Sequence, residues 1–223
     1  MDPNHRDRIA FVRVCSGKFE RNKNYLHVRN GKKMKFSNPT AFMAEKKSLV
    51  EEAYSGDIVG LHDTGSFIIG DTLTEGEKLK FTGIPNFSPE LFRYIENGDP
   101  MKSKQLAKGI AQLMDEGVAQ LFVHQFNGRK IIGTVGALQF EVIEYRLKHE
   151  YNATCRYEPI KLHKACWIRS NNQSQLADFK KRKYQYMAKD KHGRDVYLAD
   201  TSYGLQMSQQ NFPDIEFFFT SEF

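Results

Sequence analysis

The chain has 223 residues and a formal net charge of +6, from 33 Lys and Arg against 27 Asp and Glu. This length suits one large domain or two ordinary ones, and we expect two. The three cysteines lack disulfide-type spacing, no apolar run is long enough to span a membrane, and the N-terminus is unlike a signal peptide. Composition therefore excludes a disulfide scaffold and a membrane protein, and we expect a cytoplasmic protein with reduced thiols.

Motifs for catalysis are missing from the sequence. His5-Arg6-Asp7 matches the start of the protein-kinase catalytic loop, but Val12 stands where that loop needs an Asn. No G-x-x-x-x-G-K-[ST] string is present, so the chain has no P-loop for a nucleotide. Cys155, His163 and Cys166 are too few for a structural zinc site. We therefore predict no catalytic residue, no metal and no cofactor in this chain.

The first eighty residues consist of short apolar runs separated by turn residues. The runs are Ile9 to Val14, Tyr25 to Val28, Met34 to Phe36, Ile58 to Leu61 and Phe67 to Ile69. Short strands at this spacing predict a small antiparallel β-barrel over residues 1–84. Asn30-Gly31 predicts a type I′ hairpin turn, because both residues tolerate the positive φ that this turn requires.

Positive charge is concentrated in the predicted barrel. The window from Arg6 to Lys35 carries +8 and the rest of the chain about −2. Such a field favours a polyanion, and RNA phosphate is its usual partner. Arg6, Arg8 and Arg13 are expected to share one face of the first strand. The candidate RNA-binding residues are Arg6, Arg8, Arg13, Lys18, Arg21, Lys23, Lys32, Lys33 and Lys35.

The turn after the first strand is a second candidate feature of this region. Gly17 has no side chain, so it would let the backbone approach a partner closely. Three structural alternatives stay open at this point: a solvated basic face, a Gly17 that serves only the turn, and local pairing of Asp7 with an Arg.

From residue 85 onward, amphipathic helices alternate with strands. In chain order we predict a strand near Ser88 to Ile95, a helix that Gly117 ends, two strands flanking Asn127-Gly128, a helix through Phe140 and Leu147, and a strand near Thr154 to Tyr157. This order is the β-α-β-β-α-β plait called ferredoxin-like. We place the domain boundary at Gly83-Ile84-Pro85, with an α/β domain over residues 85–223.

A second, weaker β-α-β-β-α-β pattern follows. Its elements are Ala165 to Ile168, Gln173 to Lys183, Tyr186 to Lys189, Val196 to Ala199, Ser202 to Gln210 and Ile215 to Thr220. Periodicity leaves open whether the two patterns form separate plaits or share one sheet. Lys180, Lys181 and Arg182 at a helix end are further candidates for RNA binding, or else a solvated end whose charge suits the helix dipole.

Four strings carry a resemblance to a known family. HRDRIAFVRVCSGKFERN, VEEAYSGDIVGLHDTGSFIIGDTL and FTGIPNFSPELFR resemble the start, the later part and the exit of the barrel that follows the GTPase domain in translational GTPases. VGALQFEVIEYRLKHEY is similar to a helix motif of the next domain in elongation factor G, although Gln139-Phe140-Glu141 replaces its Leu-His-Leu type of core. Over essentially the whole length, the chain resembles bacterial peptide chain release factor 3.

The resemblance implies an elongation-factor-like barrel (domain II) followed by a plait domain (domain III). It also implies that the full factor is a GTPase, with GTP or GDP bound in an N-terminal domain, that helps to remove class I release factors from the ribosome in translation termination. Because this chain has no GTP-binding motif, we expect it to bind its partners and to couple domains, and to catalyse no reaction.

The same resemblance implies the partners. They are small-subunit rRNA, a ribosomal protein, the factor's own GTPase domain and, functionally, class I release factors, with no membrane and no DNA. The alternative is an autonomous, generic RNA-binding module.

Overall fold

The computed structural model describes residues 8–43, 46–81 and 87–220. The chain divides into two compact units, Met1–Ile84 and Pro85–Phe223, each of which is described by itself. Within the described ranges, no helix is long and apolar enough to cross a bilayer. In the same ranges, no three His, Cys, Asp or Glu side chains come together in a way that would hold a metal ion.

Short antiparallel strands build the first unit. They are β1 (Arg8–Arg13), β2 (Lys18–Glu20), β3 (Asn24–His27), β4 (Lys32–Lys35), β5 (Thr40–Met43), β6 (Lys46–Leu49), β7 (Glu52–Tyr54), β8 (Ile58–Asp63) and β9 (Leu73–Thr74). They pair as a four-stranded sheet in the order β1-β8-β5-β6, a three-stranded sheet in the order β4-β3-β9, and the ladder β2-β7. This is the small antiparallel barrel that the spacing of the apolar runs predicts.

The barrel core is small and rich in aromatic side chains. Phe19 and Tyr25 stack with their ring centroids 5.1 Å apart, and Val59 and Leu61 of β8 are buried beside them. Side chains alternate along β1, so Ala10 and Val12 pack against this core while Phe11 and Arg13 are exposed.

One predicted barrel strand is absent. Phe67 to Ile69 forms a loop, because two aspartates supply acceptors that compete with strand pairing. Asp63 accepts hydrogen bonds from the N–H groups of Ser66 and Phe67, and Asp71 accepts one from Ile68.

The Asn30-Gly31 turn is also not the predicted type I′ turn. Four residues, 28–31, join β3 to β4, and Gly31 takes the left-handed conformation with φ 68° while Asn30 does not. The Asn30 side-chain oxygen accepts a hydrogen bond from the Lys32 N–H at 3.0 Å, and the Gly31 N–H donates to the His27 carbonyl at 2.9 Å. Asn30 closes the turn with its side chain, so it needs no positive φ.

The second unit contains strands and helices in alternation. Its elements are β10 (Leu91–Asn97), α1 (Ser103–Asp115), β11 (Gln120–His124), β12 (Lys130–Thr134), α2 (Leu138–Tyr151), β13 (Cys155–Pro159), β14 (Lys164–Arg169), α3 (Gln173–Arg182), β15 (Met187–Asp190), β16 (Asp195–Ala199), α4 (Ser202–Asn211) and β17 (Glu216–Phe218), with 3-10 turns at Pro100–Lys102 and Tyr184–Tyr186. The helices end and begin at residues suited to capping: Gly117 follows α1 with φ 70°, and Asn172 and Thr201 cap α3 and α4 through their side chains.

Both β-α-β-β-α-β patterns share one sheet. Its eight strands run in the order β13-β10-β12-β11-β15-β16-β14-β17, which is plait order followed by the same order reversed. The two halves join where β11 pairs antiparallel with β15, with Val123 opposite Lys189. This answers the question that periodicity left open.

Three hydrophobic clusters stabilise this unit. Helices α1 and α2 cover the first plait, and α3 and α4 cover the second, through separate clusters. A third cluster contains side chains of both plaits from the sheet faces that point away from the helices: Phe92, Tyr94, Phe122, Ile131, Ala165, Trp167, Ala188, Val196 and Leu198. At its centre the rings of Phe122 and Trp167 are 6.2 Å apart. The two plaits therefore contribute to one hydrophobic cluster as well as sharing one sheet.

Candidate functional site

A groove of about 740 Å³ lies in the barrel unit. Its lining comes from residues 10–19, which include the end of β1 and the turn into β2, and from residues 67–77 with Leu79 and Phe81. The first stretch contributes Arg13 and Lys18, and the second contributes the acidic residues Asp71, Glu75 and Glu77. The groove is thus lined by apolar, basic and acidic side chains.

Gly17 lies at the exposed turn beside this groove. Its φ of +70° is in the left-handed region that favours glycine, and a side chain added there would meet no atom within 4 Å. The turn therefore needs glycine for its backbone conformation. The open space around it is compatible with the close approach of a partner that the sequence suggested.

Arg8 and Arg13 lie on opposite faces of β1, so the prediction that they share a face is wrong. They are five positions apart, an odd number, and side chains of a strand alternate between faces. The Arg8 guanidinium lies 3.5 Å from the carboxylate of buried Asp63, whereas Arg13 is exposed on the side of Phe11. Arg6, the third residue of that prediction, lies outside the described residues.

Two predicted RNA-binding lysines are held by acidic residues within the barrel. Lys18 Nζ lies 2.9 Å from Glu20 and 3.0 Å from Glu52. Lys23 Nζ lies 3.0 Å from Glu20 and 2.8 Å from Glu75. Hydrogen bonds to Glu20 and Glu52 raise the pKa of Lys18, and hydrogen bonds from Lys18 and Lys23 lower the pKa of Glu20. These lysines therefore join strands instead of presenting free charge.

Arg21 is engaged in the same way. Its guanidinium contacts Glu51 at 2.6 Å and donates a hydrogen bond to the carbonyl of Ser37, also at 2.6 Å. Its partner is 30 positions away in the sequence, so the pairing was invisible to any local pattern.

A cluster at the tip of the β3–β4 hairpin was missed altogether by the sequence analysis. Asp71, whose side chain is 6 % exposed, contacts Arg29 at 2.6 Å and His27 at 2.8 Å, and accepts a hydrogen bond from the Ile68 N–H. Burial by itself raises the pKa of Asp71, but the hydrogen bonds from Arg29, Ile68 and His27 outweigh it and hold the pKa below its ordinary value. Arg29 therefore stabilises the barrel.

Four predicted residues keep their charge free. Within residues 8–43, 46–81 and 87–220, the side chains of Arg13, Lys32, Lys33 and Lys35 have no acidic partner, and all four are exposed. The three lysines belong to β4, an edge strand, where Met34 alone turns towards the core. Among its described residues, the basic window thus contains one short strand of unpaired lysines and one unpaired arginine.

The basic run of the second unit is only partly free. Lys180 contacts Asp195, which also lies 2.7 Å from Lys189, and Arg182 lies 2.9 Å from Asp178 one helical turn earlier. Lys181 is exposed and has no acidic partner in the described part of the chain. Most of this run therefore stabilises the end of α3.

Comparison with known proteins defines first the class and then the family. Residues 1–76 match the family model for domain 2 of elongation factor G, so this part of the chain is similar to the barrel domain of a translation factor. Residues 81–209 match the model for the C-terminal domain of class II release factor RF3. This match covers more than half of the chain, and the chain belongs to that release factor family. The predicted resemblance and the predicted fold class are both confirmed.

A solved structure agrees with the fold. A crystal structure of a protein from Thermus thermophilus superposes with a TM-score of 0.58 at 17 % sequence identity, over 73 % of this chain and 26 % of that one. The likeness at this identity concerns the fold alone. The chain spans about a quarter of the length of that protein.

Proposed function

We propose that this chain is the ribosome-binding C-terminal region of a peptide chain release factor 3, which as a whole GTPase promotes recycling of class I release factors in translation termination. The family match supports this role. In the proposal, GTP binding and hydrolysis belong to the GTPase domain of the parent factor, to which this chain couples ribosome contact. Its partners are small-subunit rRNA and a ribosomal protein.

The observation that carries the proposal is the split between paired and unpaired cations in the barrel. Lys18, Arg21 and Lys23 are neutralised by acidic residues, whereas Lys32, Lys33 and Lys35 are exposed on one strand and have no such partner in the described part of the chain. Unpaired lysines are the groups that release counterions from RNA phosphates when they bind. The rRNA contact is therefore assigned to β4 and Arg13.

A structural role for the same lysines is the competing explanation. Lysines on an edge strand discourage pairing with strands of other molecules. That role predicts aggregation after substitution and no change in the salt dependence of ribosome binding, so the two explanations are separable.

The test compares two triple variants that remove equal charge. Lys32, Lys33 and Lys35 are replaced by Gln in one, and Lys18, Arg21 and Lys23 by Gln in the other. Both are titrated with purified small ribosomal subunits at several salt concentrations, after thermal melting confirms folding. The first variant should lower the slope of log affinity against log salt by about one unit for each lysine that no longer neutralises a phosphate.

Two results would contradict the proposal. One is an equal or larger loss of slope in the variant of the paired residues. The other is that the wild-type chain binds unstructured RNA, of a length similar to the small-subunit rRNA, as tightly as it binds the small subunit. That result would favour the alternative of a generic RNA-binding module.

A further inference from the structure

An exposed pair of aromatic rings lies at the junction of the two plaits. Phe126 follows β11 and is 54 % exposed, and Tyr184 begins the 3-10 turn after α3 and is 49 % exposed. Their ring centroids are 5.8 Å apart, edge to face. We call these two residues the aromatic pair. Neither belongs to any of the three hydrophobic clusters of this unit.

The aromatic pair is held in place by a buried histidine. His124, the last residue of β11, has Nε2 2.7 Å from the backbone carbonyl of Gln185, to which the ring N–H donates. One imidazole thereby links the loop that carries Phe126 to the turn that carries Tyr184. The Tyr184 hydroxyl adds a hydrogen bond of 3.4 Å to the carbonyl of Gln125. The rings are therefore pre-positioned, which lowers the entropic cost of binding a partner.

Two lysines precede Tyr184 closely in the sequence. Lys183 directly precedes Tyr184, and Lys181 is two positions earlier, at the end of α3. Neither lysine has an acidic partner in the described residues, although Lys183 Nζ also lies 5.9 Å from the Tyr197 ring. Two carboxylates of this region are paired, since Asp178 contacts Arg182 and Asp195 contacts two other lysines, and a third, Asp200, accepts a hydrogen bond from the Tyr186 hydroxyl.

We infer that the aromatic pair is a second RNA-binding site, at which an unpaired nucleotide stacks its base on Phe126 or Tyr184 while Lys181 and Lys183 contact adjacent phosphates. Exposed aromatic rings beside unneutralised cations are the combination with which proteins bind single-stranded RNA. This site goes beyond the barrel contact proposed above, and it does not depend on Lys32, Lys33 or Lys35.

Charge favours RNA over a protein as the occupant. A protein partner for an aromatic pair flanked by lysines would need acidic residues around an apolar centre, and base stacking would add nothing to its affinity. A single-stranded RNA offers a π-face and a phosphate at every nucleotide, so it matches both features of the site at once.

The test uses the whole chain and a fluorescently labelled single-stranded oligonucleotide of twelve uridines, followed by fluorescence anisotropy. Phe126→Ala and Tyr184→Ala should each weaken binding by roughly 5- to 150-fold, the range found when a stacked aromatic residue is removed. Phe126→Trp should restore affinity, and Phe126→Leu, which keeps apolar bulk without a π-face, should not. A double-stranded RNA of equal length should bind more weakly than the single strand.

Tyr203→Ala is the matched control, because Tyr203 on α4 is an aromatic residue of the same unit that is 70 % exposed and does not belong to the aromatic pair. It should bind the oligonucleotide like the wild type. The inference is overturned if Phe126→Leu and Tyr184→Ala both bind within twofold of wild type, or if Tyr203→Ala loses as much affinity. It is also overturned if Phe126→Leu loses small-subunit binding but not oligonucleotide binding, which would indicate a protein partner.

The barrel triple variant separates this inference from the proposed function. With Lys32, Lys33 and Lys35 replaced by Gln, Phe126→Leu should still produce its full loss of oligonucleotide affinity. An effect of Phe126→Leu that disappears in the triple variant would overturn the claim that this is a second, independent site.

Discussion

The barrel and the plait unit each contain a hairpin whose turn has the pattern H-x-x-N-G. The two turns differ in what the side chain at the turn contacts. The barrel turn reads HVRNGK from His27, and the plait turn reads HQFNGR from His124. In both, the Asn side chain accepts a hydrogen bond at 3.0 Å from the N–H two residues on, and the Gly N–H donates to the His carbonyl. Gly31 and Gly128 have φ of 68° and 69°.

The difference lies in the third residue of each turn. Arg29 binds Asp71, so the barrel tip is tied to the loop beneath it. Phe126 instead stays exposed against Tyr184. The pattern H-x-x-N-G thus fixes the backbone of the turn, whereas the surroundings of the third side chain decide whether the tip is structural or available to a partner. Four predictions test this distinction.

The largest effect is expected at the barrel tip. Asp71→Asn should destabilise the barrel by about 2–3 kcal/mol, because it removes the negative charge that faces Arg29 and replaces one of the two acceptor oxygens shared by Arg29, His27 and Ile68 with an NH2 donor. Hydrogen exchange of amides in residues 24–35 and 66–74 measures this locally. The single tryptophan, Trp167, is in the plait unit, so its fluorescence should show unchanged unfolding there. Glu77→Gln, an exposed acid of the same unit, should leave exchange unaltered.

The same variant predicts a dependence on pH. The folded-state pKa of Asp71 lies below its ordinary value, so its stabilisation is complete above the ordinary pKa of about 3.9 and is lost as pH falls through the folded value. Exchange in wild type and in Asp71→Asn should therefore converge towards acid pH. A constant difference between them down to the lowest pH would show that the carboxylate charge is not what ties the tip.

An equal, intermediate effect is expected at the two glycines. Gly31→Ala and Gly128→Ala should each cost about 1–2 kcal/mol, since both sit in the left-handed region and neither new side chain would meet an atom within 4 Å. Hydrogen exchange measures the cost of Gly31→Ala. Trp167 fluorescence during urea unfolding measures the cost of Gly128→Ala. Costs that differ by more than about 1 kcal/mol would break the claim that the two turns are equivalent.

The smallest effects are expected at Arg29 and Phe126, each the third residue of its turn. Arg29→Ala should destabilise the barrel by about 1 kcal/mol after allowance for its partial exposure. Phe126→Ala should change the stability of the plait unit by less than about 0.5 kcal/mol, as exposed substitutions usually do. A marked loss of stability in Phe126→Ala would mean that this ring is structural, like Arg29.

The period of the apolar residues and the spacing of the turn residues were sufficient to predict the helices and strands of the plait unit. Its helices have apolar residues at helical intervals, and its two hairpins contain Asn127-Gly128 and His192-Gly193, so each pattern is complete within a few residues. The sharing of one sheet was beyond this reasoning, because the pairing of Val123 with Lys189 depends on two edges that no local pattern connects.

The candidate site was predicted less well, for two physical reasons. The first is parity, since the odd separation of Arg8 and Arg13 should have placed them on opposite faces. The second is distance along the chain, since Glu52 and Glu75 are 34 and 52 positions away from the lysines that they neutralise. A count of charge within one window cannot show such pairs. The aromatic pair likewise joins residues of separate elements, and only the fold brings them together.

The palindromic strand order of the eight-stranded sheet gives the plait unit the architecture of a covalently fused dimer. Two separate plaits that paired through their second strands about a twofold axis would build the same order of strands. Such a dimer would dissociate on dilution and expose Phe122 and Trp167. In this chain, residues 160–163 connect β13 to β14, so the association is intramolecular and does not depend on protein concentration. The junction that carries Phe126 and Tyr184 therefore persists at whatever level the protein is expressed.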